Sequence, residues 1–113
     1  MIFFENKPLN NDGTLVCFTA IESDFILGKC LLLLKNDYAE ITEIQANDNS
    51  FIIAEGLIKA AFNYAANKNF YIGRCYSENF KKLLETMNFN KTGNIYENDI
   101  PLILMGKCGC CGK

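Results

Sequence analysis

The chain has 113 residues, half of them apolar, with 11 Lys and Arg against 13 Asp and Glu, a net charge of -2 and no histidine. That length supports one domain with a single core, without help from metal or disulfides, and the composition excludes a largely disordered chain. The charge leaves no electrostatic footprint for nucleic acid, and the longest uninterrupted apolar run, Cys30 to Leu34, is far too short to span a bilayer.

The first ten residues, MIFFENKPLN, place an acid and a proline where a secretory leader needs an apolar run, so a soluble cytosolic protein is expected. Ile2 to Phe4 predicts a short edge strand, and Asn10-Asn11-Asp12-Gly13 a turn. Thr14 to Ile21 and Phe25 to Lys35 are strand-like and are joined at Glu22-Ser23-Asp24. Asn36-Asp37 leads into a further strand, Tyr38 to Ala46, in which Ala39, Ile41 and Ile44 are set among polar residues. Strands joined by turns this short predict an antiparallel meander.

After Asn47-Asp48-Asn49-Ser50 the period changes. Ile53, Ala54, Leu57, Ile58, Ala61, Phe62 and Ala65 recur at steps of three and four, which predicts a helix from about Ser50 to Ala66 with one wide apolar stripe. Asn and Ser ahead of the stripe can bond first-turn N–H groups. A strand feeding a helix through a tight turn leaves unpaired amides at the helix start, a physical site for a phosphate or another anion. Asn67-Lys68-Asn69 ends the helix. Phe70 to Cys75 follows as a short strand, parallel to Tyr38–Ala46 through a right-handed crossover. Ser77 is expected to cap a second helix carrying Phe80, Leu83, Leu84 and Met87, and Asn88 suits the left-handed position that closes it. Phe89 to Met105 predicts one hairpin, turning near Glu97-Asn98-Asp99.

Six cysteines divide into two groups. Cys17, Cys30 and Cys75 lie within strand-like segments as small buried hydrophobes. Cys108, Cys110 and Cys111 crowd the C-terminal segment, residues 107–113. Their C-x-C-C spacing offers three soft ligands for Zn or Cu(I), one short of a closed tetrahedral site, and a fourth would have to come from a partner chain or a strand cysteine. The competing explanation is a glycine-rich end whose thiols stay reduced. A disulfide framework is not expected.

The runs AEITEI, GLIKAAFNYAANKNF and SENFKKLLETMNF, in this order and spacing, give the chain its resemblance to a shortened member of the GNAT acetyltransferase superfamily, over about residues 14 to 105. The resemblance implies a mixed α/β fold for residues 1–106: an antiparallel meander followed by strand, helix, strand, helix and a last pair of strands. It also implies transfer of an acyl group from acetyl-CoA to a small-molecule or protein amine. Backbone groups of Ile44, Gln45 and Ala46 would meet the pantetheine arm. The family's pyrophosphate pattern, Q/R-x-x-G-x-G/A, falls on Asn49, Ser50, Phe51, Ile52, Ile53 and Ala54, of which only Ala54 matches. Ile52 stands where close approach of a phosphate calls for glycine, and Asp48 repels an anion, so weak binding of coenzyme A is expected.

Transfer to an amine needs a base for the ammonium proton and an acid for the leaving thiolate. By resemblance Glu43 is the candidate base, with Glu40 a weaker one; a solvated residue on an exposed strand face is the alternative for Glu43. The family's acid, a tyrosine on the late helix, falls at Leu84, so that role is vacant, and Tyr76 is the candidate replacement. Cys75 could accept an acyl group only if it were not a buried strand residue. The family's opening strand and paired helices are missing apart from Ile2 to Phe4, and the Leu31–Leu34 run is left without their cover, which predicts a homodimer. The other functional expectation is a non-catalytic domain of this fold that binds a ligand or a protein, with a metal-binding or redox tail.

Overall fold

Within residues 1–76 and 79–105, which the computed structural model describes, one seven-stranded sheet carries its helices on a single face. The strands are β1 (Phe3–Pro8), β2 (Leu15–Glu22), β3 (Phe25–Leu34), β4 (Tyr38–Ala46), β5 (Ile72–Cys75), β6 (Asn90–Thr92) and β7 (Ile95–Asp99), and the helices are α1 (Phe51–Asn67), α2 (Lys81–Thr86) and α3 (Ile100–Met105). They are arranged β1-β2-β3-β4-β5-β7-β6, and every neighbouring pair is antiparallel except β4 and β5. The meander through β4, the crossover α1 and the parallel β5 are as the sequence predicts. Ser77, expected as the cap of α2, lies outside the described residues, as do Cys108, Cys110 and Cys111.

Alternation along the strands divides the sheet into two chemically different faces. Val16, Phe18 and Ala20 of β2, Cys30 and Leu32 of β3, Ala39, Ile41 and Ile44 of β4, Cys75 of β5 and Tyr96 of β7 are buried in one cluster with the stripe of α1. That stripe is the seven residues expected from the sequence. Its four large members, Ile53, Leu57, Ile58 and Phe62, contribute about 6–12 kcal/mol of gross burial, before the entropy of ordering them. Leu83 and Leu84 of α2 and Ile100 and Ile103 of α3 complete the core. On the opposite face Leu15, Cys17, Leu31, Leu33, Tyr38, Ile72 and Arg74 are only half-buried. Cys17 therefore departs from the expectation of a buried thiol, whereas Cys30 and Cys75 meet it.

Two further expectations need correction. The first strand is not a stub at Ile2 to Phe4 but six residues, paired in continuous register with β2 from Phe3↔Ile21 to Pro8↔Val16. Its residues are exposed on both faces, so the apolar alternation that marks a strand is missing. The C-terminal region is not one hairpin turning at Glu97–Asp99. The turn falls at Gly93-Asn94, with Gly93 at φ 64, and residues 97–99 belong to β7, where Asp99 pairs with Ile72 of β5. The chain then enters α3, and Pro101 lies in its first turn, where a missing N–H leaves no bond unmade. Asn88 is left-handed as expected, at φ 67.

Candidate functional site

The parallel pairing of β4 with β5 ends early. It runs from Tyr38↔Ile72 to Ile41↔Cys75, and the Tyr76 amide closes it with a 3.4 Å bond to the Ile41 carbonyl. Beyond this point, among the described residues, Thr42 to Ala46 are held only by β3. A bulge sits at the point of divergence: Leu31 pairs with Glu43 and Leu32 with Ile41, leaving Thr42 as an extra residue. A bulge bends its strand and increases the local twist. The result is a wedge with the unpaired edge of Thr42–Ala46 on one side and the end of β5, with Tyr76, on the other.

The α1 start lies at the end of the same strand. Asp48 and Asn49 both take positive φ, 58 and 52, and the Asn47 side chain donates through Nδ2 to the Ile26 carbonyl at 3.1 Å, fixing the turn to the β2–β3 hairpin. Ser50 is the N-cap, and its hydroxyl accepts from the Ile53 amide at 3.3 Å. Among the described residues the Phe51 and Ile52 amides, the first two of the helix, have no acceptor, because the Ser50 cap satisfies only the Ile53 amide. Ile52 is 77% exposed and Phe51 is partly exposed against Phe80, with ring centroids 6.0 Å apart. Ala54 is buried and its amide bonds Ser50 as an ordinary helical rung. Gly28 of β3 backs this corner. A methyl group there would lie 2.6 Å from the Gln45 carbonyl oxygen and 3.0 Å from Ile53 Cγ2.

Of the expected residues, Ile44, Gln45 and Ala46 form the free edge, and 49–54 form the turn and first helical residues beside it. Ile44 turns its side chain into the core, so only its backbone is available to the wedge. Glu43 is half-buried on the helix-free face and its Oε2 accepts from Gln45 Nε2 at 2.8 Å. Tyr76 is 43% exposed at the wedge mouth. Leu84, where the resemblance implies the acid's position, is wholly buried. Cys75 is also buried; burial, followed by the neighbouring Glu40 charge, pushes its thiol up to about 12, so it is protonated at neutral pH and offers no nucleophile.

A group not anticipated from the sequence stands next to the wedge on the helix-free face. The Arg74 guanidinium lies 4.0 Å over the Tyr38 ring and donates through Nε to Glu97 Oε1. The Glu97 hydrogen bond is the largest influence on the Arg74 pKa and raises it, outweighing desolvation, which lowers it; the Glu97, Tyr38 and Glu40 charges raise it further by smaller amounts. Arg74, Thr92, Ile95 and Glu97 line an open cavity of about 290 Å³. The one available signal was an arginine alternating with Gly73 and Cys75 in a four-residue strand. Among the described residues no three His, Cys, Asp or Glu side chains converge to hold a metal, and no helix is long and apolar enough to cross a membrane.

No family model matches the chain, and none of the curated proteins does. Solved structures do. The aminoglycoside 6'-N-acetyltransferase of Enterococcus faecium superposes with a TM-score of 0.70 at 9% identity, over 82% of this chain and 77% of that one. A Desulfovibrio desulfuricans protein assigned to the GNAT acetyltransferase family gives 0.69 at 9% identity, over 80% and 72%. The PaiA N-acetyltransferase of Thermoplasma acidophilum, solved in complex with coenzyme A, gives 0.67 at 16% identity, over 76% of this chain and 61% of that one. The chain thus has the acyl-CoA N-acyltransferase fold of the GNAT proteins.

Proposed function

We propose, from the fold shared with these acetyltransferases, that this chain binds acetyl-CoA in the wedge between β4 and β5 and acetylates an amine. The observation that carries this reading is the free backbone edge of Thr42–Ala46 ending beside two unpaired amides at the start of α1. An extended amide-containing arm can add to such an edge as a strand adds to a sheet, and the Phe51 and Ile52 amides suit a phosphate group. Bound there, acetyl-CoA would supply the activated thioester. Glu43, on the face away from the helices and adjacent to the bulge, would take a proton from an amine approaching over that face. Tyr76 is the candidate proton donor on the other wall. The acceptor is a small-molecule or protein amine.

A second reading is favoured by two observations. Leu84 is sealed in the core where the family has its acid, and Ile52 occupies the helix start with a branched side chain. On that reading the wedge binds a ligand or a protein segment without turnover.

Calorimetric titration with acetyl-CoA, followed by a mass-spectrometric acetylation screen over polyamines, aminoglycosides and lysine peptides, separates the two. Saturable heat with turnover lost in Glu43→Gln supports the transferase. Heat without turnover supports the binding domain, and no heat from coenzyme A or acetyl-CoA rules out the wedge as a coenzyme site.

A further inference from the structure

The sheet ends in two unlike edges. At one side β6 has only three residues, a length that blunts an edge against further pairing. At the other, β1 has six, exposed throughout and without a bulge, and its outer main-chain groups have no partner among the described residues. The direction of those groups follows from the register. The Leu9 amide bonds the Leu15 carbonyl at 2.7 Å, so Leu9, Lys7, Glu5 and Phe3 direct their N–H and C=O groups toward β2. Phe4, Asn6 and Pro8 direct theirs outward. Pro8 thus sits where β2 does not need the N–H it lacks. The strand is also held from behind, because the Phe4 ring lies against Gly56 of α1, where an added methyl would stand 2.3 Å from its Cζ.

We propose that two copies of this chain pair antiparallel along their β1 edges, about a two-fold axis passing through Asn6. Outward groups must meet outward groups, so only registers that set Phe4, Asn6 and Pro8 opposite one another are available. With the axis at Asn6, the two Asn6 residues exchange both main-chain bonds, and each Phe4 N–H meets the other copy's Pro8 carbonyl. Glu5 then lies opposite Lys7 twice, and Phe3, 59% exposed, lies opposite Leu9, 49% exposed. Shifting the axis to Glu5 sets two glutamates directly opposite each other, and shifting it to Lys7 sets two lysines opposite and leaves Asn6 facing a residue with no donor. Like charges directly opposite destabilise a pair and unlike charges stabilise it, so the charge pattern selects the Asn6 register over both neighbours. The contact is that of a small interface, formed by main-chain bonds with two apolar pairs at its ends.

Sedimentation equilibrium of the full chain tests this. The wild type is expected to dimerise, and Glu5→Lys to raise the dimer dissociation constant about ten-fold or more, since two attractive pairs become repulsive. Glu5→Lys combined with Lys7→Glu is expected to restore the wild-type value, because the swap preserves the opposition. Asn6→Pro removes both central donors and is expected to give monomer. A wild type that remains monomeric up to about 1 mM overturns the proposal. So does a dimer indifferent to all three variants, which would place the contact elsewhere, for instance on the helix-free face. A single charge reversal that weakens the dimer without rescue by the swap overturns the register. Should Asn6→Pro lose the native circular dichroism spectrum, the charge pair alone decides.

Discussion

Gly28 on β3 and Gln45 on β4 are set so closely that a methyl group on the first would stand 2.6 Å from the carbonyl oxygen of the second. This contact joins the free end of β4 to the start of α1, because the same methyl would also meet Ile53. The obstructing atom is main chain and cannot swing aside. Gly28→Ala is therefore expected to destabilise the protein by about 1–3 kcal/mol, the usual cost of overpacking. Urea unfolding measures it, with an unchanged m-value if the fold is kept. Any affinity for acetyl-CoA should fall in the same variant.

Ile52 and Asp48 both oppose a phosphate at the helix start, by different means. A nearby carboxylate costs about 0.3–1 kcal/mol through the helix dipole, whereas a branched side chain obstructs close approach to the backbone. Wild-type affinity for acetyl-CoA is expected on the order of 0.1 mM or weaker, about 5.5 kcal/mol. Ile52→Gly should bind more tightly than wild type, and by a larger factor than Asp48→Asn. Calorimetry on the three proteins gives the order. Micromolar binding by the wild type would show that the phosphates bind elsewhere.

Glu40 and Glu43 lie on the same face of β4, yet only Glu43 stands past the last rung to β5. If Glu43 takes the amine proton, Glu43→Gln should lower kcat about 100-fold with little change in KM, within the usual range for a positioned base. Glu40→Gln, beside Arg74, should leave kcat nearly unchanged. Steady-state kinetics with an acceptor from the screen decides between them, and equal losses would remove Glu43 from the mechanism.

Burial holds the Cys75 thiol up to about 12 from an ordinary value of 9.0. An unfolded chain releases this proton first, so above pH 9 the folded state binds more protons and stability falls as pH rises toward 12. The contribution is at most about 1.4 kcal/mol per pH unit. Cys30, raised in the same direction by burial and by the other two strand cysteines, adds to it. Cys75→Ala should flatten the decline between pH 9 and 12, even though the cavity lowers stability at every pH. An unchanged slope would mean that the thiol is not sealed.

The core elements were legible because they obey a single period. The stripe of α1 and the alternation of β2 and β3 need no tertiary information. The bulge too leaves a mark in the sequence: Ala39 and Ile41 are two apart, and Ile41 and Ile44 three, a step no regular strand makes. What failed has a physical cause in each case. Phe3–Pro8 is exposed on both faces, so no pattern marks it as a strand. Glu97-Asn98-Asp99 carries turn chemistry but is recruited by β5, and long-range pairing outweighs local preference there. At the site, Glu43 and Tyr76 flank one opening, yet the Arg74, Tyr38 and Glu97 group comes from three separate strands, and proximity of that kind leaves no mark in sequence spacing.

Thr42 has a property that sets it apart from every other residue of β4. Because it is the extra residue of the bulge, deleting it would leave Ala39, Ile41 and Ile44 facing the helices and Glu40 and Glu43 facing away. Only the bend would go. The wedge is therefore specified by an insertion separable from the code that builds the core, so that one codon could close the opening and leave the fold standing, or open it again in a chain that had lost it.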